Sequence, residues 1–187
     1  MGELKIIGGL VKGKKIKSCK GLYVRPVLAR IKKSLFDIIQ HDLKDAECLD
    51  LFSGTGSIGL EAISRGAKYV IFVEKHPVAI QTIRHNINLL GFEQKSKLLS
   101  GDVFVITKDI KRKFDIIFLD PPFPTLDIEE LLTYISNVDL LKRSGTIILH
   151  HPLHKLSMEK IEKLMCIRKI KYGQNLLSFY KLIEFIS

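Results

Sequence analysis

From Glu47 onward, short apolar runs alternate with stretches whose apolar residues recur at helical spacing. Strands are predicted over 48–52, 69–74, 97–100, 114–120 and 145–150, and helices over 57–65, 78–90 and 128–135, with Gly91 closing the second helix. A further helix is expected near 158–164. Two strands over 166–172 and 176–183 follow, joined by Gly173-Gln174-Asn175, a hairpin signal. This alternation predicts an α/β fold with a doubly wound, mostly parallel sheet and an antiparallel hairpin at its end. Upstream, residues 4–9 and 10–18 predict a short hairpin in which Lys14, Ile16 and Ser18 alternate with Lys15 and Lys17. Arg25-Pro26 breaks the chain, and a helix is predicted over about 27–41 with Ile31, Leu35, Ile38 and Ile39 on one face. That face must dock, which leaves Lys32 and Lys33 towards solvent or a ligand. The expected organisation is a basic hairpin-and-helix extension, 1–44, and a Rossmann-like domain, 45–187.

Length and composition narrow the class. At 187 residues and 46% hydrophobic, the chain can bury a full core as one large domain. No apolar run reaches membrane-span length, and the start, Met1 to Lys5, lacks the apolar stretch of a signal peptide. Cys19, Cys48 and Cys166 are odd in number and widely spaced, which suits a reducing interior better than a disulfide framework or zinc site. A soluble, cytoplasmic protein with no membrane contact is expected, with a monomer as the default. The net charge of +10 is uneven: residues 1–35 hold ten Lys and Arg against one acid, Glu3. Such a patch suits a phosphate backbone, and equally a solubilising terminus.

Three features carry chemistry. Asp120-Pro121-Pro122-Phe123 ends an apolar strand with a carboxylate, two prolines and a ring. Either it is a rigid turn or it walls a pocket. Gly54, Gly56 and Gly59 form a GxGxxG between strand and helix, which suits a dinucleotide pyrophosphate or a plain turn. Three acids shift that balance. Asp50 precedes the glycines inside the strand, where a charge is wasted on phosphates but suits a cationic ammonium and sulfonium. Glu74 ends the next strand, placed for both ribose hydroxyls, and Asp102 follows the third, placed for an adenine amino group. Each acid has a plainer role as a helix cap or surface charge, Asp102 most of all. Together they describe a site for S-adenosylmethionine. His150, His151 and His154 invite a metal, but no other ligand stands at suitable spacing, so none is expected. Tyr172, Gly173 and Tyr180 read as packing in the terminal hairpin.

The chain resembles the RsmD family of class I methyltransferases, bacterial enzymes that methylate the N2 amine of a guanine in small-subunit (16S) ribosomal RNA. The marks are Ile6-Ile7-Gly8-Gly9, Arg25-Pro26 with Arg30, Leu35-Phe36, Leu49 to Gly56, Leu60-Glu61-Ala62, Ser64-Arg65-Gly66 and Asp120 to Phe123. The glycine loop is common to many methyltransferases; the basic hairpin, the Arg-Pro entry and the DPPF are far more specific. Two departures stand out. Lys32-Lys33 replaces the family's Arg-Glu, and the strand ending at His150 commonly ends in an acid.

The resemblance implies a mostly parallel seven-stranded sheet with an antiparallel C-terminal hairpin and a small basic N-terminal β-hairpin. It implies S-adenosylmethionine at Asp50, Phe52, Gly54, Thr55, Gly56, Gly59, Glu74 and Asp102, with ribosomal RNA or an assembling small subunit as partner. Asp120 and the Pro121 carbonyl would accept hydrogen bonds from the amine, Pro122 would stiffen the turn and Phe123 would stack on the base. Lys12, Lys14, Lys15, Lys17, Arg25, Arg30, Lys32 and Lys33 would hold RNA. The nearest rival is an adenine-N6 methyltransferase with the same wall. A nicotinamide dehydrogenase is disfavoured by Asp50, and a non-catalytic RNA-binding module by the intact acids.

Overall fold

The computed structural model describes residues 4–19, 29–122, 127–155 and 158–185. Eight strands form one sheet: β1 (Glu47–Leu51), β2 (Tyr69–Glu74), β3 (Ser96–Ser100), β4 (Phe114–Leu119), β5 (Leu141–Pro152), β6 (Lys160–Ile161), β7 (Leu164–Tyr172) and β8 (Asn175–Leu182). Their order is β3-β2-β1-β4-β5-β8-β7-β6. The first five are parallel, and β8, β7 and β6 add antiparallel edges. The order reverses between β1 and β4, the switch point at which open α/β sheets bind ligands beyond their carboxyl ends.

Five helices cover the sheet: α1 (Ala29–Ile38), α2 (Ser57–Ser64), α3 (Pro77–Leu90), α4 (Val103–Ile106) and α5 (Ile128–Asn137). Alternation along each strand divides the interior in two. Cys48, Val70, Phe72, Ile116, Phe118 and Ile148 pack with α1, α2 and α3. Leu49, Leu51, Ile71, Ile117, Leu119 and Ile147 pack with α4 and α5. Both faces are therefore dry, which explains the near-continuous apolar runs of β1, β2 and β4. Among the described residues no helix is long and apolar enough to cross a membrane.

One element differs from its sequence pattern. The apolar spacing of 158–164 is helical, yet the chain there makes β6, a turn and the start of β7. Glu162 sits in the left-handed region at φ 51°, reversing the chain so that Ile161 and Leu164 both enter the core. Tertiary burial at the sheet edge outweighs a weak local helix preference.

The N-terminal segment is a loop closed by one antiparallel bridge, Lys5 to Lys15, in place of two full strands. Ile6 N–H donates to the Lys14 carbonyl at 2.9 Å and Ile16 N–H to the Leu4 carbonyl at 2.9 Å. Ile6 and Ile16 are its buried anchors, in the same core as α1. Polar bonds to α2 do the rest. Ser64 Oγ donates to the Gly8 carbonyl at 2.6 Å, and Leu10 N–H donates to the Ser64 carbonyl at 2.7 Å. A Cβ on Gly9 would lie 1.9 Å from that carbonyl oxygen, and its φ is +76°, so only glycine fits.

The expectation that Lys32 faces solvent or RNA is overturned. Lys32 is 2% exposed, and its Nζ lies 3.2 Å from Glu61 Oε2. It also donates to the Lys5 carbonyl at 3.0 Å and to Ser57 Oγ at 3.1 Å. Lys32 flanks the apolar stripe of α1, and a long aliphatic stem at that position reaches inward when an acid waits there. Burial holds the ammonium below the usual lysine range, and Glu61 opposes that shift. Lys33 is exposed and pairs with Asp37 at 2.6 Å.

Glu61→Leu should destabilise the protein by about 3–5 kcal/mol in urea melts, since it leaves the Lys32 ammonium buried without its counter-charge. Adding Lys32→Met should recover a substantial part of that loss. A double variant no more stable than Glu61→Leu would show that the pair is not the origin of the effect.

Candidate active site

The same alternation that buries the core places three polar groups together. On the α1 side, two residues beyond Cys48, Phe118 and Ile148 come Asp50, Asp120 and His150. Their strands β1, β4 and β5 are neighbours, with Asp50 in register with Phe118, and Phe118 with Ile148. The three line one cleft, walled by Leu35 of α1, Ile58 of α2 and Leu177 of β8.

Asp50 is 2% exposed and its Oδ2 accepts from the Gly59 amide at 3.0 Å. Burial pushes its carboxyl up to about 8, and the charges of Asp120 and Glu74 push the same way, against the Gly59 hydrogen bond. Asp120 is partly exposed and its Oδ1 accepts from His150 Nδ1–H at 2.8 Å. Oδ2 takes no partner among the described residues. Pro121 is buried and Pro122 exposed. Phe123 lies outside the described residues.

The glycine loop crosses the carboxyl end of β1. Its turn runs through positive φ at Phe52, Gly54 and Gly56, and α2 starts at once. A Cβ at Gly59 would meet the Phe72 ring at 2.3 Å, so this glycine is what lets α2 lie close on β2. Glu74 reaches back over the loop: Oε2 accepts from the Gly54 amide at 2.8 Å, and Oε1 from the His76 amide at 2.9 Å. Thr55 is buried, and its carbonyl accepts from Asn86 Nδ2 at 3.0 Å. Asn86 also grips the basic segment, accepting from the Lys17 amide at 2.8 Å and donating to the Lys17 carbonyl at 3.0 Å.

Asp102 is the N-cap of α4, accepting from the Phe104 amide at 3.0 Å, and pairs with Lys75 at 3.0 Å. Burial is the largest single influence on its carboxyl and raises it, but the Lys75 and Phe104 hydrogen bonds and the Lys75 charge together hold it below the usual carboxylate range. Of the sequence-chosen cations, Lys12, Lys14, Lys15, Lys17, Arg30 and Lys33 are exposed. Arg25 lies outside the described residues, and Lys32 is enclosed as described above.

His150 and His151 point to opposite faces of β5. His151 is fully buried, its Nδ1–H donating to the Pro152 carbonyl at 3.1 Å and its Nε2 accepting from Ser178 Oγ at 2.8 Å. Burial lowers its pKa. No group of three or more potential metal ligands occurs among the described residues.

Two residues of this site gave no motif signal: Asn86, a lone amide in a helix, and His150 as the partner of Asp120. Period-two counting from Ile148 would have found the second, because it assigns His150 to the face of Asp50 and Asp120.

Residues 4–181 match the model of the family described as Conserved hypothetical protein 95. The Bacillus subtilis (strain 168) protein YlbH, whose name assigns it provisionally to the rRNA methyltransferases, is 33% identical over 181 residues, covering 95% of this chain and 98% of its own. Ribosomal RNA small subunit methyltransferase D of Haemophilus influenzae is 33% identical over 149 residues, 78% of this chain and 77% of its own. The solved structure of the Escherichia coli protein yhhF, provisionally named a methyltransferase, superposes with a TM-score of 0.87 over 97% of this chain and 98% of that one. At 24% identity it speaks for the fold alone. With the family model spanning both the basic segment and the sheet, this chain belongs to the RsmD family of methyltransferases.

Proposed function

We propose that this chain transfers a methyl group from S-adenosylmethionine to the exocyclic N2 amine of a guanine in small-subunit ribosomal RNA, working in the cytoplasm as a monomer. The donor set of the cleft carries this reading. Acids face the glycine loop, and they already occupy its amides: Gly59 N–H is held by Asp50 and Gly54 N–H by Glu74. A pyrophosphate would meet like charge there and find those amide donors taken. A cationic ligand with a ribose meets neither obstacle. Asp50 would face its ammonium and sulfonium, and Glu74 its ribose hydroxyls, with Phe52, Thr55, Gly56 and Gly59 shaping the turn beneath. Asp102 can exchange its exposed pair with Lys75, which is worth little, for an adenine amino group. S-adenosylmethionine bound there would supply an electrophilic methyl group on sulfur.

The rest is positioning. A guanine amine is a poor nucleophile because its lone pair is delocalised into the ring, so orientation and electrostatics supply much of the rate. Asp120 and the Pro121 carbonyl would accept its two hydrogens and turn the nitrogen to the cleft. Pro122 would stiffen the turn, and Phe123 would stack on the extruded base. Lys12, Lys14, Lys15 and Lys17, with Arg25, Arg30 and Lys33, would hold phosphates. The names of the Bacillus and Haemophilus relatives support ribosomal RNA as substrate.

The deciding experiment is tritiated methyl transfer to small ribosomal particles from a cell lacking this protein, followed by nucleoside digestion. Label in N2-methylguanosine is expected; label in N6-methyladenosine would replace the guanine with an adenine. Asp120→Ala should cut transfer by at least about a hundredfold. Calorimetry should find its S-adenosylmethionine affinity within a few-fold of native, and loss of cofactor binding would refute that role.

Asp50 predicts a pH effect. Its folded-state pKa of about 8 lies above the unfolded value of about 3.9, so ionising it weakens the ligand-free fold progressively between those limits. Asp50→Asn should therefore raise the melting temperature at pH 8, with a gain that shrinks as pH falls towards 5. The same variant should bind S-adenosylmethionine more weakly. A gain independent of pH would contradict the assignment.

A further inference from the structure

We propose that His150 is a positioning residue for the reaction, holding one oxygen of the Asp120 carboxylate so that the other is presented to the substrate amine. This rests on the methyl-transfer reading above and assigns a role to a residue outside the sequence-chosen site. The backbone makes the pairing unavoidable. β4 and β5 are parallel neighbours with Phe118 opposite Ile148, so the side chains two residues further on emerge on the same face at the same level. They meet at 2.8 Å, His150 Nδ1 to Asp120 Oδ1, with the imidazole only 10% exposed and the carboxylate 24%.

A carboxylate at a strand end rotates about its Cβ–Cγ bond unless something fixes it, and a nearby acid makes rotation away from the cleft favourable. Asp50 is that acid here: it lines the same cleft, and Asp120 contributes to its raised pKa. The Nδ1–H of His150 opposes that drift. It ties Oδ1 towards β5 and leaves Oδ2 unpartnered among the described residues. The donor is also suited to the task. The single Nδ1–H of an imidazole orients one carboxylate oxygen, whereas the several donors of a lysine or arginine in its place would compete with the amine for both. The Leu35, Ile58 and Leu177 walls keep the ring from turning to solvent.

The test compares native protein with His150→Asn and His150→Leu, using small ribosomal particles from a cell lacking the protein. Asn places an amide nitrogen about where Nδ1 stands, and Leu fills the space without a donor. His150→Leu should lower kcat about a hundredfold with the KM for particles and the calorimetric S-adenosylmethionine affinity nearly unchanged, the size expected when a reacting group loses its orientation. His150→Asn should stay within a few-fold of native. Equal activity in native and Leu proteins, or equal loss in Asn and Leu proteins, would overturn the proposal. A second measurement needs no turnover: nitrogen-resolved NMR of the ligand-free protein should find the His150 ring proton on Nδ1, and a ring protonated on Nε2 alone would overturn it too. Native protein that transfers no methyl at all would instead overturn the methyl-transfer reading.

Discussion

The Glu61 carboxylate holds together the parts of this protein that would otherwise have little reason to meet. It is fully buried and takes Lys32 Nζ, Arg65 Nε and the Ile7 amide. These partners come from α1, α2 and the N-terminal segment. A buried ion is costly unless its lone pairs are filled, and here three segments must be in place to fill them. The arrangement therefore acts as a condition on assembly. Among its described residues the N-terminal segment buries Ile6 and Ile16 fully and Leu4 and Val11 in part, and it is further fastened by polar bonds to Glu61 and Ser64 of α2. Lys32 extends the link to Ser57, the first residue after the glycine loop. The positive surface is thus bolted to the helix whose start borders the acidic cleft.

The cleft itself follows from strand periodicity. Three neighbouring strands each carry a polar side chain two residues beyond a core residue on the same face. Asp50, Asp120 and His150 share a face because Cys48, Phe118 and Ile148 do. The chemistry on that face is one-sided: carboxylates gathered near a loop whose amides they already use. Burial is what pushes Asp50 so far from its ordinary value, and the neighbouring carboxylates add to that shift. A positive ligand would favour its ionisation, and a phosphate would oppose it. Selectivity between cofactors that share a glycine loop then rests on the acids around the glycines more than on the glycines.

Much of this was legible in the sequence. Both-face burial made β1, β2 and β4 read as continuous apolar runs, and Gly91 ended α3 as its position requires, at φ 71°. Asp50 and Asp120, both singled out from the sequence, line one cleft. The failures are of one kind. Lys32 reads as a surface charge because its partner, Glu61, stands on another helix. The stretch 158–164 reads as a helix because the edge strand that captures it comes later in the chain. In each case the deciding contact is long-range, and local pattern carries no information about it. His150 lies between these cases: its partner is remote, but its face is fixed by counting from Ile148.

Asn86 shows how little of a site's organisation needs charge. It is fully buried, and one amide group binds both backbone sides of Lys17 and the carbonyl of Thr55. The basic segment and the glycine loop are thereby joined at a second point. A loop with successive positive-φ residues has a backbone of high conformational freedom, so its geometry must be imposed from outside. Here it is imposed by Asp50 and Glu74 through amides and by Asn86 through a carbonyl. The amide can do it at any pH. The two kinds of restraint together let the loop stay shaped while Asp50 changes its protonation state.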